Sequence, residues 1–261
     1  MNIESLSTNL KEIILEASLL MPKQISDDIT IKIKDKNSLV TEVDQNIEVF
    51  LVDALSKLIP EAGFIAEEGT ASHIGSEYNW IIDPLDGTTN FIHGIPAYCI
   101  SVGLKKGDEI ILGSIFEFIR ENYYSANHGG GSYMNDVQIH VSETKELEDS
   151  LLATGFPYYD FKFLEEYMEA FRNFIQYSRG IRRLGSAALD MAYVASGKFD
   201  GFFEYSLHPW DVAAGIILVK EAGGKVTDFK NGKDFLFGKE MLASNNLIHH
   251  ELISEIGKHF K

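Results

Sequence analysis

Five short runs that suit β-strands follow one another closely in the first half of the chain: GFIA at 63–66, WIID at 80–83, CISVGLKK at 99–106, EIILGSIFEF at 109–118 and NYYSA at 122–126. Their β-branched and aromatic residues fit a pleated, half-buried surface, and their close succession favours antiparallel pairing. In LKKGDEI, Gly107-Asp108 sits between two apolar runs, a hairpin signal because glycine supplies the positive φ of a tight turn. HGGGSYMND reads as a further turn, although three adjacent glycines could also cradle an anion. Ahead of these runs, Leu6, Leu10, Ile13, Ile14 and Ala17 keep helical spacing, as do Ile47, Phe50, Leu51, Ala54, Leu55 and Leu58. Between these two amphipathic helices, ITIKIK at 29–34 alternates as a half-exposed strand or extended arm would, and could carry Lys34 toward a site.

Beyond residue 145 the pattern changes. Strand-like LLATG precedes helices near 161–177 and 185–196, then strand-like DGFFEYS and a helix from about 210 to 222. The expectation is an α/β protein with an α+β portion at 1–145 and an α/β portion at 146–261, the acidic stretch SETKELED marking the boundary. There is no repeat or low-complexity segment.

At 261 residues and 45% hydrophobic content, the chain can bury a large core. Its single cysteine, Cys99, calls for no oxidising compartment, and a reducing cytoplasm is expected. Glu4, Lys11, Glu12 and Glu16 interrupt the first apolar run before it reaches signal-peptide or membrane-span length, so neither export nor membrane insertion is expected. The 39 acidic against 23 basic residues give a net charge of −16, which repels nucleic acid unless basic groups cluster. No such cluster is evident.

Chemistry concentrates in WIIDPLDGTTNF, where an apolar strand delivers Asp83, a proline turns the chain and Asp86 follows. Two carboxylates this close in one cleft repel each other unless protonated or neutralised, and a hard divalent cation is the simplest remedy. The amides of Gly87, Thr88 and Thr89, at a helix start, would form an anion site. The alternative, for the fragment alone, makes Asp83 a turn residue and Asp86 a helix cap. Glu67 and Glu68 after GFIA, and Asp211 opening WDVAAGIILVKEAGG, again place acids at element ends, where they can converge. Other arrangements fail on spacing. DPLDGTTN lacks the ligand order of an EF-hand, no GxxxxGK[ST] or GxSxG occurs, and Gly129-Gly130-Gly131 is not GxGxxG. The histidines are too scattered for zinc, and His249-His250 reads as surface.

Together, KNSLVTEVDQ at 36–45, FIAEEG at 64–69, WIIDPLDGTTNFIHGIP at 80–96, GSAALDMAYVASGKFDGFFE at 185–204 and PWDVAAGIILVKEAGG at 209–224 closely resemble the inositol monophosphatase family. The resemblance implies a layered αβαβα sandwich, two or three Mg²⁺ ions, inhibition by lithium and a homodimer. By matching motifs, Glu67, Asp83 and the Leu85 carbonyl would hold one metal, and Asp83, Asp86 and Asp211 another. Thr88 would touch the first metal and the attacking water, Asp44 would pair with Thr88 and draw the water proton away, and the Gly87 and Thr88 amides would receive phosphate oxygens. Glu204, with Gly185, Ser186, Ala187, Asp86 and Asp211, would meet the substrate; Lys34 is a further candidate, with Lys36 its rival. Pro209 stands where some relatives have cysteine, which bears on specificity alone.

The implied reaction is hydrolysis of inositol 1-phosphate by metal-activated water, without a phosphoenzyme. Two metals neutralise the attacking and departing oxygens. DxDGT phosphatases of the haloacid dehalogenase type space their acids one residue closer, so their covalent mechanism is not reproduced. Histidinol phosphate, fructose 1,6-bisphosphate and 3′-phosphoadenosine 5′-phosphate are rival substrates, although an acid at Glu204 repels a second phosphate. Some bacterial relatives associate with the transcription machinery, a non-enzymatic alternative.

Overall fold

The computed structural model describes residues 2–22, 31–35 and 38–260, with 31–35 and 38–41 described by backbone alone. Asn2 caps the first helix, α1 (Ile3–Ser18), its side-chain oxygen accepting from the Glu4 and Ser5 amides at 3.0 and 3.2 Å. The hairpin β1 (Ile31–Asp35) and β2 (Ser38–Thr41) follows, then α2 (Glu42–Leu58). Leu6, Leu10, Ile14 and Ala17 of α1 and Ile47, Leu51 and Leu55 of α2 are buried, as their spacing predicts.

Strands β3 (Gly63–Ala66), β4 (Tyr78–Asp86), β5 (Cys99–Lys106), β6 (Glu109–Glu117), β7 (Asn122–Asn127), β8 (Gly131–Met134) and β9 (Val137–Ile139) form a seven-stranded sheet in chain order, and the short helix α3 (Thr88–Ile92) follows β4. From β4 onward the pairing is antiparallel as expected; β3 and β4 are parallel instead. The stretch of 67–77 between them carries the chain back to start β4 beside the beginning of β3, which a short hairpin would not do. The β5–β6 hairpin turns at Gly107 with φ 56°.

The second sheet contains β10 (Leu151–Thr154), β11 (Gly180–Arg182), β12 (Gly201–Tyr205), β13 (Lys225–Thr227) and β14 (Glu240–Ser244) in the order β11-β10-β12-β14-β13. Its first three strands are mutually parallel and β14 is antiparallel to both neighbours. Helices α4 (Leu164–Tyr177) and α7 (His249–Ile256) pack on its outer face, while α5 (Ala187–Ala195) and α6 (Pro209–Glu221) fill the space between the sheets. The layers therefore run α1/α2, first sheet, α5/α6, second sheet, α4/α7, the expected sandwich.

α6 lies close on the first sheet because two paired glycines, Gly103 and Gly113, make a trough for it. A Cβ at 103 would stand 2.9 Å from Ala213 Cβ, and one at 113 would stand 2.8 Å from the Ala214 carbonyl. Every residue from Ala187 to Ala195 and from Val212 to Val219 is buried, and apart from Asp190 these stretches are apolar on every face, as a layer covered on both sides must be.

Candidate active site

β4 passes through the core at Trp80, Ile81 and Ile82 and emerges at Asp83. On a regular strand, residues three apart face opposite ways. Here Asp83 lies opposite Ser101 and Asp86 opposite Cys99, so three steps on β4 match two on β5. The extra residue is a bulge that restores parity, and both carboxylates line one cleft. Pro84 is tolerated there because a bulge spares the ladder hydrogen bond that proline cannot donate. Asp83 Oδ1 accepts from the Leu85 amide at 3.0 Å, closing the turn.

Gly87 then takes φ 96°, a conformation that disfavours side chains, and a Cβ there would stand 2.7 Å from the Ala97 carbonyl. It caps α3, whose first residue is Thr88. Thr88 Oγ1 lies 2.9 Å from Asp44 Oδ1 and 2.9 Å from the Leu85 carbonyl, two acceptors sharing one proton. Asp44, from the first turn of α2, is fully buried. Glu67 follows β3, its amide donating to the Ile82 carbonyl at 3.2 Å. Buried Glu48 fixes that turn by accepting from the Glu68 and Thr70 amides at 2.8 and 2.9 Å.

The remaining acids arrive from the second half. Asp211 sits in the first turn of α6, where Oδ2 accepts from the His208 amide at 2.6 Å. Asp86 Oδ2 accepts from the Ser186 hydroxyl at 2.7 Å and the Ala188 amide at 2.8 Å, docking the start of α5 against the first sheet. Ser186 thus spends its hydroxyl on Asp86, while Gly185 and Ala187 line the cleft beside it. Glu204 lies next to the end of β12 and faces the same cleft, its carboxylate so near Gly155 that a Cβ there would fall 2.0 Å from Oε1. Lys34 and Lys36 lie outside the described side chains.

The cleft, about 380 Å³, is crowded with acids. Burial first, then Glu67, Asp86 and Asp211, holds the Asp83 carboxyl well above the usual range. Burial and the Asp86 charge raise Asp211 likewise. Asp86 is pushed up to about 6 by burial, against its Ser186 and Ala188 donors. Glu204 is pushed up to about 8 by burial, opposed by the Arg183 charge. Such a set cannot be fully ionised without added positive charge. Carboxylates plus the Leu85 carbonyl form an all-oxygen donor set, which fits a hard divalent cation. Among the described residues, no three acid, histidine or cysteine side chains already stand in the spacing of a closed metal shell.

Several expectations change. The glycine loop after β7 does cradle an anion, but the anion is the chain's own: the Gly129 and Gly131 amides donate to the two Glu221 oxygens at 2.9 and 3.0 Å. His249 is not surface; it is 2% exposed, with Ser244 Oγ and Thr227 Oγ1 within 2.8 and 3.0 Å of its ring nitrogens. Arg183, Asp190 and Tyr158 also line the cleft without having been singled out. The Arg182-Arg183 pair just ahead of a helix start was the available signal.

Comparison with known proteins shows the family. The inositol monophosphatase family description matches residues 2–260. The chain belongs to the inositol monophosphatase family. It is 41% identical over 238 residues to a Nus factor SuhB of Pseudomonas aeruginosa, covering 89% of this chain and 88% of that one. It is 36% identical over 256 residues to an inositol-1-monophosphatase of Mesorhizobium japonicum, covering 95% and 96%. The crystal structure of the extragenic suppressor protein SuhB from Bartonella henselae superposes with a TM-score of 0.92 at 36% identity, covering 97% and 99%. Inositol monophosphatase membership carries metal-dependent phosphatase activity and leaves the substrate open, since relatives bear both names.

Proposed function

We propose that the protein hydrolyses the phosphate monoester of a small polyol, inositol 1-phosphate foremost, using two or three Mg²⁺ ions. The observation that carries this reading is Glu204, a half-buried carboxylate opening onto the same cleft as Asp83, Asp86 and Asp211, with Gly155 leaving it room. An acceptor there suits a ring hydroxyl and disfavours a second phosphate.

Glu67, Asp83, the Leu85 carbonyl, Asp86 and Asp211 would hold the metals. Bound there, Mg²⁺ supplies an acidified water and neutralises charge on the transferring phosphate. Thr88, donating to Asp44, turns its remaining lone pairs toward the cleft to accept from the attacking water and fix its line of approach. Asp44 then holds the proton shifted through Thr88. The Gly87 and Thr88 amides receive phosphate oxygens. Asp86 and Asp211 border the leaving group, and Gly185, Ser186 and Ala187 make room for its ring.

A homodimer, a cytoplasmic location, lithium sensitivity and a division of labour between 1–145 and 146–261 belong to the same proposal. No described helix is long and apolar enough to cross a membrane. Phosphate release from inositol 1-phosphate, histidinol phosphate, fructose 1,6-bisphosphate and 3′-phosphoadenosine 5′-phosphate tests the reading. Preference for inositol 1-phosphate supports it; faster turnover of histidinol phosphate moves the function there. The Nus factor name of a 41% identical relative favours a second reading, a transcription-associated role. Specific co-purification with RNA polymerase from native lysate would support that role, and its absence would count against it.

A further inference from the structure

We propose that Arg183 is a specificity-determining residue of the same cleft, acting with Glu204 as a donor–acceptor pair that reads two neighbouring hydroxyls on the leaving group. The proposal rests on the polyol reading above and adds to it the residue that recognises the second hydroxyl.

Of the described residues lining the cleft, Arg183 is the one lysine or arginine. Its side chain folds back over Gly185: a Cβ on that glycine would stand 2.4 Å from Nη1, so glycine is what lets the guanidinium lie there. Nη2 donates to the Tyr158 hydroxyl. The guanidinium carbon also lies 5.6 Å from the centroid of the Phe156 ring and 5.5 Å from that of Tyr158. A long, flexible side chain is thus ordered before any ligand arrives, which lowers the entropy lost on binding.

Among the described residues only its Nη2 meets an acceptor and Nε is buried without one, whereas a guanidinium drawn there merely to balance charge would be expected to grip a carboxylate with its fork. Glu204 and Asp190 both lie near enough to act on its charge, so a second anion entering this end of the cleft would meet two acids beside the guanidinium. What remains is a set of unspent donors beside a carboxylate acceptor. A vicinal diol matches it, since one hydroxyl oxygen accepts from Arg183 while its neighbour donates to Glu204. A simple aryl phosphate offers neither.

The test compares kcat/KM at saturating Mg²⁺ for inositol 1-phosphate, its deoxy analogue lacking the hydroxyl beside the phosphate-bearing carbon, and p-nitrophenyl phosphate. Charged hydrogen bonds of this kind are worth about 10- to 150-fold. Arg183→Met should lower kcat/KM for inositol 1-phosphate by about that factor, mainly through KM, with p-nitrophenyl phosphate changed less than about 2-fold and the deoxy analogue losing less than the parent. Tyr158→Phe, which removes one hydrogen bond from the guanidinium but keeps both rings beside it, should give a smaller loss confined to the polyol. Equal losses on all three substrates, or a wild-type preference for inositol 1-phosphate that Arg183→Met leaves intact, overturn the role of Arg183 alone. A wild type that prefers no polyol phosphate over p-nitrophenyl phosphate overturns the polyol reading itself, and this proposal with it.

Discussion

The two walls of the cleft are built differently. Around Asp83 and Asp86 the carboxylates are tied to backbone: Asp83 to the Leu85 amide, Asp86 to the Ala188 amide, Asp211 to the His208 amide. On the opposite wall, Arg183, Tyr158 and Phe156 hold one another through side chains on loops, and Phe156 is 42% exposed where Asp83 is 2% exposed. A backbone-tied wall keeps its geometry whatever ligand arrives, which suits chemistry common to all phosphate esters. A wall of side chains can be remade by single substitutions without disturbing the fold, which suits a choice among leaving groups.

This contrast breaks most sharply at the metal wall. Exhaustive chelation, or Asp83→Asn, should lower turnover of every substrate by about 10³-fold or more, with Mg²⁺ restoring the chelated wild type and not the variant. Undiminished phosphate release after metal removal would show that the acids serve another end. Next in size, Thr88→Ala and Asp44→Asn should reduce kcat by about 10²- to 10⁴-fold on inositol 1-phosphate and p-nitrophenyl phosphate alike, with far-UV circular dichroism unchanged. A loss specific to one substrate would move these residues to the other wall.

Glu204→Ala sharpens the comparison from the opposite side, since its effect should divide by substrate: about 10- to 150-fold in kcat/KM for inositol 1-phosphate and little for p-nitrophenyl phosphate. Equal losses would assign Glu204 to folding or metal geometry. The smallest effect concerns pH. Asp86 and Glu204 have folded values near 6 and 8, above the 3.8 and 4.5 of the unfolded chain. Between those limits the folded state holds protons that the unfolded state has released, so metal-free stability must fall as pH rises from about 4 to 8. In chelator, Tm should therefore drop by about 5 °C between pH 5.5 and 8, and saturating Mg²⁺ should recover most of the drop. A metal-free Tm that rises over this range would mean that the acids are neutralised within the protein.

The sequence disclosed elements where periodicity was long enough to read. α1, α2, α4, α6 and the strands from β3 to β7 fall close to where apolar spacing places them, whereas three-residue strands such as β9, β11 and β13 carry no period at all. The parallel β3–β4 pairing was hidden because it depends on where the chain returns after residue 77, a tertiary matter. Within the site, DPLDG announced itself by residue type, yet the bulge that turns Asp83 and Asp86 to one side exists only in the pairing with β5. His249 looked like half of an exposed pair until Thr227 and Ser244 were seen to enclose it. Lys34 belongs to a stretch whose side chains are not described, and its role stays a proposal.

Glu221, bound by the Gly129 and Gly131 amides, closes α6 at the end opposite Asp211. The helix spans 13 residues, about 20 Å, and rests in the trough of Gly103 and Gly113. It behaves as a strut seated along its length and bolted at its far end, unable to slide or roll without breaking contacts at the β7–β8 turn. The alignment of Asp211 is thus partly set at a surface loop on the far side of the layer. Insertions there, harmless by ordinary standards of loop tolerance, would be felt as misregistration at the cleft.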